Sequence, residues 1–260
     1  MGSPTPTHTP HHTHTGKFKN THMPTTDPSP IILLTATVVE MLPLAKQMQL
    51  KKQSALSWQG QVAGLPIIAQ VTGMGAQRAA QAVREAAQLF PQSRIVYAGF
   101  AGALDRSLDL GSIISPATVL NEDKLTIDVD GQMTQSIVSV DRIISSPQLK
   151  TQLAHATGTV AVDMESYGAA AAAQQLGSTL TIIRSISDSA QQTLPKWAAH
   201  CIKANGQTSL RGVLWVLLSG PWRISQMLSM QKRAKIASES LTYFVEGKMG
   251  QWALNDTQRI

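Results

Sequence analysis

Residues 159–189 read TVAVDMESYGAAAAAQQLGSTLTIIRSISDS and contain two apolar segments separated by a run of alanines. The flanking segments, 159–166 and 179–189, are short and rich in Val and Ile, which favours β-strands. The segment between them, 166–177, has the composition of a helix and ends at a glycine. A strand, a helix and a second strand in this order are typical of an α/β protein.

The same alternation extends upstream of this stretch. IILLTATVVEML (31–42) predicts a strand, a turn and the start of a helix, and glycines follow several later strands. The remaining predicted strands are LPIIAQV (65–71), RIVYAGFAG (94–102), GSIISPATVL (111–120) and SIVSVDRII (136–144), and the remaining predicted helices are AQRAAQAVREAAQLF (76–90) and SPQLKTQLAHAT (146–157). We therefore predict a three-layer α/β domain over residues 31–195.

The two ends of the chain differ from this domain. Residues 1–30 are rich in Thr, Pro and His and nearly devoid of large apolar side chains, so we expect a disordered tail. Residues 196–260 predict a helical extension packed on the domain, with two helices separated by Gly220 and Pro221.

Composition restricts the environment and the class of protein. The chain has a single cysteine, Cys201, and no Cys/His cluster with zinc spacing, so we expect no disulfide, no metal and no cofactor. There is no signal-peptide pattern and no apolar stretch of about 20 residues, which predicts a cytoplasmic location.

The basic residues are concentrated near the end of the chain. Residues 196–248 contain eight Lys or Arg against two Glu, a surplus equal to the net charge of +6 for the whole chain. Such a surplus suits nucleic acid or an anionic membrane surface, but an ordinary solvated helix face explains it equally well. We favour the solvated face and expect no nucleic-acid partner.

Three acids share a placement after predicted strands: Glu40, Glu165 and Asp188. Ligands of open α/β sheets bind outside the carboxyl ends of the strands, so the three carboxylates could converge on one cleft. Each acid could instead cap a helix or a turn. That alternative is weakest for Glu165, because its neighbours in sequence are apolar.

Two glycine turns add to this pattern. One turn contains Gly73 and Gly75, and the other runs from Gly99 through Phe100 and Ala101 to Gly102. Glycines allow backbone N–H groups to approach a ligand closely. The first turn is not a dinucleotide-binding fingerprint, because Arg78 occupies the third glycine position.

Five motifs in order, TATVVEM, VTGMGAQRAA, YAGFAGALDRSLDLGSII, VAVDMESYGAA and IIRSISDSA, resemble the nucleoside phosphorylase/nucleosidase superfamily. Within it the layout is similar to methylthioadenosine/S-adenosylhomocysteine nucleosidases, and VDRIISSPQLKTQLA and the basic tail most resemble the hopanoid-associated phosphorylase group. The resemblance implies a phosphorylase/hydrolase-like fold with a central mixed sheet flanked by helices, and a homo-oligomer.

The resemblance also implies roles for individual residues. Glu165 would hold the ribose hydroxyls, Asp188 would protonate the purine and Glu40 would activate the attacking water. The other implied substrate-binding residues are Thr72, Gly73, Gly75, Gly99, Phe100, Ala101, Ile143, Ile144, Met164, Arg184 and Ser187. Breaking the N-ribosidic bond needs a general acid that is protonated near neutrality, which the apolar neighbours of Asp188 would favour, whereas Glu165 should stay ionised.

The implied reaction releases adenine from a 5′-substituted adenosine, and adenosylhopane is the substrate of the most similar group. Phosphorolytic relatives hold phosphate with an Arg and a Ser where this chain has Tyr97 and Phe100, so water is favoured over phosphate as the nucleophile. Arg78 or Arg184 could still contact phosphate. The alternatives are a soluble methylthioadenosine/S-adenosylhomocysteine nucleosidase and a nucleoside-binding protein without turnover.

The segment LRGVLWVLLSGPW (210–222) combines a Trp/Leu face with arginines, a pattern that suits an interfacial membrane helix. A lipid-tailed nucleoside would need such access, with the protein at the inner face of the membrane. We slightly favour the alternative that this helix packs on the domain or at a dimer interface.

Overall fold

The computed structural model describes residues 29–195, 205–206 and 221–257. These residues form five helices and eleven strands, and all the strands belong to one sheet. The strands are β1 (Ile31–Thr35), β2 (Lys51–Lys52), β3 (Ser57–Val62), β4 (Leu65–Val71), β5 (Ile95–Ala103), β6 (Ile113–Ile114), β7 (Pro116–Leu120), β8 (Thr126–Asp128), β9 (Met133–Ser139), β10 (Ala161–Asp163) and β11 (Leu180–Asp188). The helices are α1 (Val38–Gln47), α2 (Ala76–Leu89), α3 (Pro147–Thr157), α4 (Ser166–Leu176) and α5 (Pro221–Thr257).

The sheet is mixed and branches at β5. Its main path runs β2-β3-β4-β1-β5-β10-β9-β7-β8, and β11 pairs with β5 and β6. β5 is parallel to β1 and β11 but antiparallel to β10. The predicted α/β fold with a central mixed sheet flanked by helices is therefore confirmed.

Helices cover both faces of the sheet, as β1 illustrates. Side chains of a strand alternate between the two faces. Ile32 and Leu34 pack in a core with α2 and α4, whereas Ile31 and Leu33 pack in a second core with α1 and α5. All four side chains are buried, which explains why β1 reads as a continuous apolar run rather than an alternating pattern.

Three short strands were not predicted. β2 and β3 form an antiparallel ladder that continues into β4, and β8 pairs with β7. β3 and β4 are joined by Ala63 and Gly64, which both have positive φ, as a two-residue hairpin turn requires. β3 consists mostly of polar residues around Trp58. It therefore lacks the apolar run from which β4 was predicted.

Two predicted strands differ in extent. The segment 111–120 is divided at Ser115 because β6 pairs with β11 while β7 pairs with β8 and β9. The segment 136–144 leaves the sheet after Ser139, and the residues that follow approach the site described below.

The C-terminal helix packs on the sheet-based domain. Leu241, Val245 and Met249 of α5 are fully buried in the core shared with α1. Their spacing of four residues continues past Gly247, and the helix accordingly runs on through this glycine to Thr257. Residues 1–28 of the predicted tail lie outside the described residues, as does the segment considered for membrane contact up to residue 220. The division into three regions stays a prediction.

Candidate active site

The site lies where two strands diverge along one edge of β5. On this edge β1 pairs with residues 95–97 and β10 pairs with residues 102–103, whereas β11 follows the opposite edge. Residues 98–101 therefore have no strand partner on the first edge. The backbone N–H of Phe100 points into this gap and donates to a side chain, Oε1 of Glu40, at 2.9 Å.

A cavity of about 320 Å³ opens at this gap, a size typical of small-molecule sites. Its wall combines carboxylates with a larger number of apolar side chains. The lining residues are Ala36, Thr37, Val39, Glu40, Met74, Phe100, Ala101, Gly102, Arg142, Ile143, Ile144, Val162, Asp163, Met164, Glu165, Ser187, Asp188, Leu194, Met230, Arg233 and Ala234.

Glu40 is held by two elements. Its Oε2 accepts hydrogen bonds from the backbone N–H of Thr37 at 2.8 Å and from the Thr37 hydroxyl at 2.9 Å, which completes a capping box at the start of α1. Its Oε1 accepts from Phe100, as described above. Burial raises the pKa of Glu40, and the Phe100 N–H and the charge of Arg184 oppose that rise. Glu40 therefore both caps a helix and faces the cavity.

Of the three acids, Glu165 keeps the most hydrogen-bonding capacity for a ligand, although the residue is only 7% exposed to solvent. It stands at the N-cap of α4 but makes no capping bond there. Its Oε1 accepts from the backbone N–H of Gly75 at 2.8 Å, and Oε2 has no hydrogen-bond partner among the described residues. Burial and the neighbouring Asp163 raise the pKa of Glu165 to about 7. The raised pKa opposes ionisation of Glu165 in the free protein, and the ionised state expected from the sequence stays a prediction.

Asp163 lines the cavity and belongs to a buried network that extends behind it. Its Oδ2 lies 2.7 Å from Nε of Arg184, and Ser139 and Ser166 donate hydroxyl hydrogen bonds to the same carboxylate. Arg184 also donates to the Ser166 hydroxyl at 2.9 Å and lies over the ring of Tyr97. The guanidinium is fully buried, so Arg184 is the cation that neutralises this acidic region.

Asp188 is paired with a lysine that the sequence did not single out. Lys150 of α3 is buried, forms an ion pair with Oδ2 of Asp188 and donates to the Ser189 carbonyl at 2.6 Å. The Ser187 hydroxyl donates to Oδ1 at 2.8 Å. The apolar surroundings expected for Asp188 are therefore only part of its environment.

The glycines of the two turns leave room for the acidic side chains and also let the backbone approach them closely. A Cβ on Gly102 would lie 2.9 Å from Oδ2 of Asp188, and one on Gly99 would lie 2.9 Å from Oε1 of Glu40. Both glycines thus allow β5 to approach the acids. Gly75 has φ of 98° and directs its N–H to Glu165.

The predicted site residues divide into two groups. Nine of them line the cavity: Glu40, Phe100, Ala101, Ile143, Ile144, Met164, Glu165, Ser187 and Asp188. Five lie behind the cavity wall or in the loops that support it: Thr72, Gly73, Gly75, Gly99 and Arg184. Thr72 is buried and shares a 2.7 Å hydrogen bond with the hydroxyl of Tyr97.

The cavity also includes residues that the sequence did not indicate. Met230 and Arg233 come from α5, and Leu194 follows β11. Lys150 lies outside the cavity wall, and the sequence does carry a signal for its burial. It shares a face of α3 with Leu153 and Ala154 at i+3 and i+4. For the residues of α5 no local signal exists, because their place depends on how the helix docks.

The phosphate-binding positions of phosphorolytic relatives are occupied differently here. Tyr97 is buried and engaged by Thr72, and Phe100 packs against the core beside α1. Arg78 does not line the cavity. Among the described residues, Arg233 lines the cavity without an ion-pair partner, whereas Arg142 pairs with Glu122 at 2.7 Å.

The described residues contain neither a metal-binding cluster nor a membrane-spanning helix. No group of three His, Cys, Asp or Glu in that part of the chain is placed to hold a metal ion. None of the described helices contains an apolar stretch long enough to cross a membrane.

Solved structures with the same fold include nucleosidases from three bacteria. A 5′-methylthioadenosine/S-adenosylhomocysteine nucleosidase of Neisseria meningitidis, complexed with methylthio-immucillin-A, is 19% identical with a TM-score of 0.65, covering 86% of this chain and 100% of that one. An S-adenosylhomocysteine nucleosidase of Streptococcus pyogenes is 18% identical with a TM-score of 0.61, covering 84% and 97%. Futalosine hydrolase of Helicobacter pylori is 17% identical with a TM-score of 0.61, covering 84% and 98%.

At these identities the likeness is one of fold. No curated protein matches the chain significantly. The family model of the phosphorylase superfamily matches residues 30–135 and 132–211, which is well over half of the chain. Together with the branched mixed sheet and the acid-lined gap beside β5, this match shows that the chain belongs to the phosphorylase superfamily.

Proposed function

We propose that this protein hydrolyses the N-ribosidic bond of a 5′-substituted adenosine and releases adenine. The observation that carries the proposal is the pairing state of Glu165, a buried carboxylate with one oxygen free in a cavity that Glu40 and Asp188 also line. A buried carboxylate with an unused acceptor is costly unless a ligand donates to it.

Glu165 is proposed to hold the ribose 2′- and 3′-hydroxyls. Hydroxyl donors at Oε2 would favour the ionised carboxylate, which lowers the pKa of Glu165 from its value of about 7 in the free protein. Substrate binding would thereby release a proton from the fraction of protein in which Glu165 is protonated. Met164, the neighbouring residue in the cavity wall, would pack beneath the sugar.

Asp188 is proposed as the residue that delivers a proton to the purine. Departure of the base leaves negative charge on the purine, and protonation by a positioned acid accelerates such steps by about 10²–10⁴-fold. Ser187, which donates to Asp188, lines the same part of the cavity. Ile143 and Ile144 line the cavity and would cover the base.

Glu40 is proposed to activate the attacking water. Its raised pKa makes Glu40 a stronger base than an ordinary carboxylate, and its position opposite the gap in β5 is fixed by Thr37 and Phe100. Oε2 already accepts two hydrogen bonds from Thr37, whereas Oε1 accepts one from Phe100 and keeps a second lone pair for the water proton.

Water is favoured as the nucleophile because the side chains at the two phosphate-binding positions, Tyr97 and Phe100, carry no positive charge. Arg184 is occupied by Asp163 and Ser166 and does not line the cavity. Phosphorolysis remains the alternative, and Arg233 is the residue that supports it.

The apolar wall suggests the chemistry of the 5′-substituent. The apolar residues Val39, Leu194 and Met230 line the cavity together with the carboxylate residues. An apolar 5′-group would bury against such side chains, and we propose adenosylhopane, in line with the resemblance to the hopanoid-associated group. The fold neighbours named as methylthioadenosine/S-adenosylhomocysteine nucleosidases support the second candidate, a smaller thioether substrate.

The test is adenine release by the purified protein from methylthioadenosine, S-adenosylhomocysteine and a lipid-tailed adenosine, each with and without phosphate. Phosphate-independent release supports hydrolysis, and the preferred substrate decides between the two candidates. Asp188→Asn should reduce release by at least about 100-fold. Unchanged release in that variant would remove the assigned mechanism, and tight adenosine binding without release by the wild type would favour a binding protein.

We further propose that the protein is a cytoplasmic homo-oligomer and that any membrane contact is made through the segment 210–222. Light scattering measures the oligomeric state, and flotation with anionic vesicles measures membrane contact.

Limited proteolysis tests the proposed boundaries at residues 30 and 195, because cleavage should concentrate in exposed linkers.

A further inference from the structure

Lys150 is the buried cation closest to the proposed proton donor. Its side chain is 1% exposed, and its ammonium contacts Oδ2 of Asp188 and the carbonyl of Ser189. It does not line the cavity, whereas Asp188 does. Lys150 therefore lies behind Asp188 as seen from the ligand.

We infer that Lys150 is a positioning residue that supplies, through Asp188, the proton taken up by the departing base. This inference rests on the proposed function. It assigns the Lys150–Asp188 pair, rather than Asp188 alone, to the acid step, and it gives a role to a residue of α3 to which the sequence pattern assigned none.

The environment of α3 argues against a packing role for this lysine. Leu149, the adjacent residue, is 46% exposed, while Lys150 is turned into the protein. A helix that served only the core would place the leucine inside, because burying an ammonium costs far more than burying an alkyl group. Replacement of a buried ion pair by apolar residues is often neutral or stabilising, so stability alone does not account for the pair.

The ion pair explains how a carboxylate can act as the acid. As the C1′–N bond breaks, its electron pair moves to the base. A proton passes from Nζ of Lys150 to the Asp188 carboxylate and from there to the base nitrogen, leaving a neutral amine. The water that attacks C1′ gives its proton to Glu40, and after product release Glu40 and Lys150 exchange protons with solvent to restore the starting state.

The remaining bonds fix the geometry of this relay. Ser187 donates to Oδ1 of Asp188 at 2.8 Å, and the Ser189 carbonyl accepts from Lys150 at 2.6 Å. Ser187 lies in the last two residues of β11 and Ser189 directly follows the strand, so the strand end orients the carboxylate and the ammonium together. Gly102 leaves room for the carboxylate, since its absent Cβ would lie 2.9 Å from Oδ2.

The experiment compares two leaving groups in the full-length protein. Methylthioadenosine requires protonation of its base, whereas 4-nitrophenyl 5-methylthio-ribofuranoside releases a stable phenolate without a proton. Lys150→Met should reduce kcat for methylthioadenosine by about 100-fold and leave kcat for the nitrophenyl compound unchanged. Lys248→Met, which removes a buried lysine on α5 stacked 5.8 Å from the Trp252 ring and outside the cavity wall, is the matched control and should change neither rate.

A second readout covers the case in which Lys150→Met does not fold or the nitrophenyl compound is not cleaved. The double variant Lys150→Met/Asp188→Asn carries no unpaired buried charge, and its rate on methylthioadenosine should equal that of Asp188→Asn alone. Equal losses on both leaving groups, or an additional loss in the double variant, would overturn the relay. Absence of adenine release by the wild type, from methylthioadenosine and from the lipid-tailed adenosine alike, would instead overturn the proposed function, and the relay with it.

Discussion

Glu165→Gln should make the protein more stable and less active, and the size of the gain follows from the burial of Glu165. The carboxyl pKa rises from 4.5 in the unfolded chain to about 7 in the folded protein. At about 1.4 kcal/mol per pH unit, ionised Glu165 costs about 3 kcal/mol of unfolding free energy above pH 7. Gln keeps an oxygen for the Gly75 N–H and removes the charge that Asp163 repels.

The sign of the pH dependence follows from linkage. Between pH 4.5 and about 7 the folded protein binds more protons at Glu165 than the unfolded chain does, so this residue lowers stability as the pH rises. The cost is complete above the folded pKa and disappears below the unfolded one. The stability advantage of Glu165→Gln should therefore be about 2–3 kcal/mol larger at pH 8.5 than at pH 5.

Urea unfolding of both proteins at the two pH values measures this difference, and adenine release measures the loss of function. Glu85→Gln is the matched control, because Glu85 is partly exposed and accepts a hydrogen bond from Gln81 in the preceding turn of α2. A stability difference that does not change with pH, or that grows toward pH 5, would refute the reasoning. Retained activity in a stabilised Glu165→Gln variant would refute the ribose-holding role.

Three further changes test the surrounding network. Asp163→Asn should lower the unfolding free energy by about 3–5 kcal/mol in urea titrations, because it leaves the fully buried Arg184 without its ion-pair partner, and a loss under 1 kcal/mol would contradict this. Gly102→Ala should reduce adenine release by at least about tenfold, since the new Cβ displaces Asp188, and activity equal to wild type would show that the carboxylate can move freely. Glu40→Gln should reduce kcat by about 10²–10⁴-fold with little change in the Kd of adenosine, and a loss confined to binding would remove the base role.

The sequence was sufficient for the fold class because strands and helices are encoded by residues close together in the chain. The apolar run of β1, the alanine-rich α4 and the glycine after it specify their own structure with little help from distant residues. The direction of β10 was not specified in this way. It runs antiparallel to β5, so the three acids meet at a gap beside β5 rather than along a row of parallel strand ends.

The expected positions of Glu40, Glu165 and Asp188 followed from local pattern, since each stands at a change from strand to helix or loop. Their electrostatic environments could not be predicted in the same way. Glu165 accepts from Gly75, 90 residues away, and Asp188 pairs with Lys150, 38 residues away. The charge on a side chain depends on which groups surround it in space, and sequence periodicity carries no information on such distant neighbours.

The chain's own pattern thus determined the layers, the glycine turns and the three acids, because each depends on the conformational preferences of neighbouring residues. Only the tertiary structure decided that Arg184 neutralises Asp163, that Lys150 stands behind Asp188, and that α5 closes the cavity with Met230 and Arg233. These features arise when elements far apart in the chain are packed together. Burial then makes every unpaired charge costly, so the fold assembles a partner for each acid and leaves one oxygen of Glu165 for the ligand.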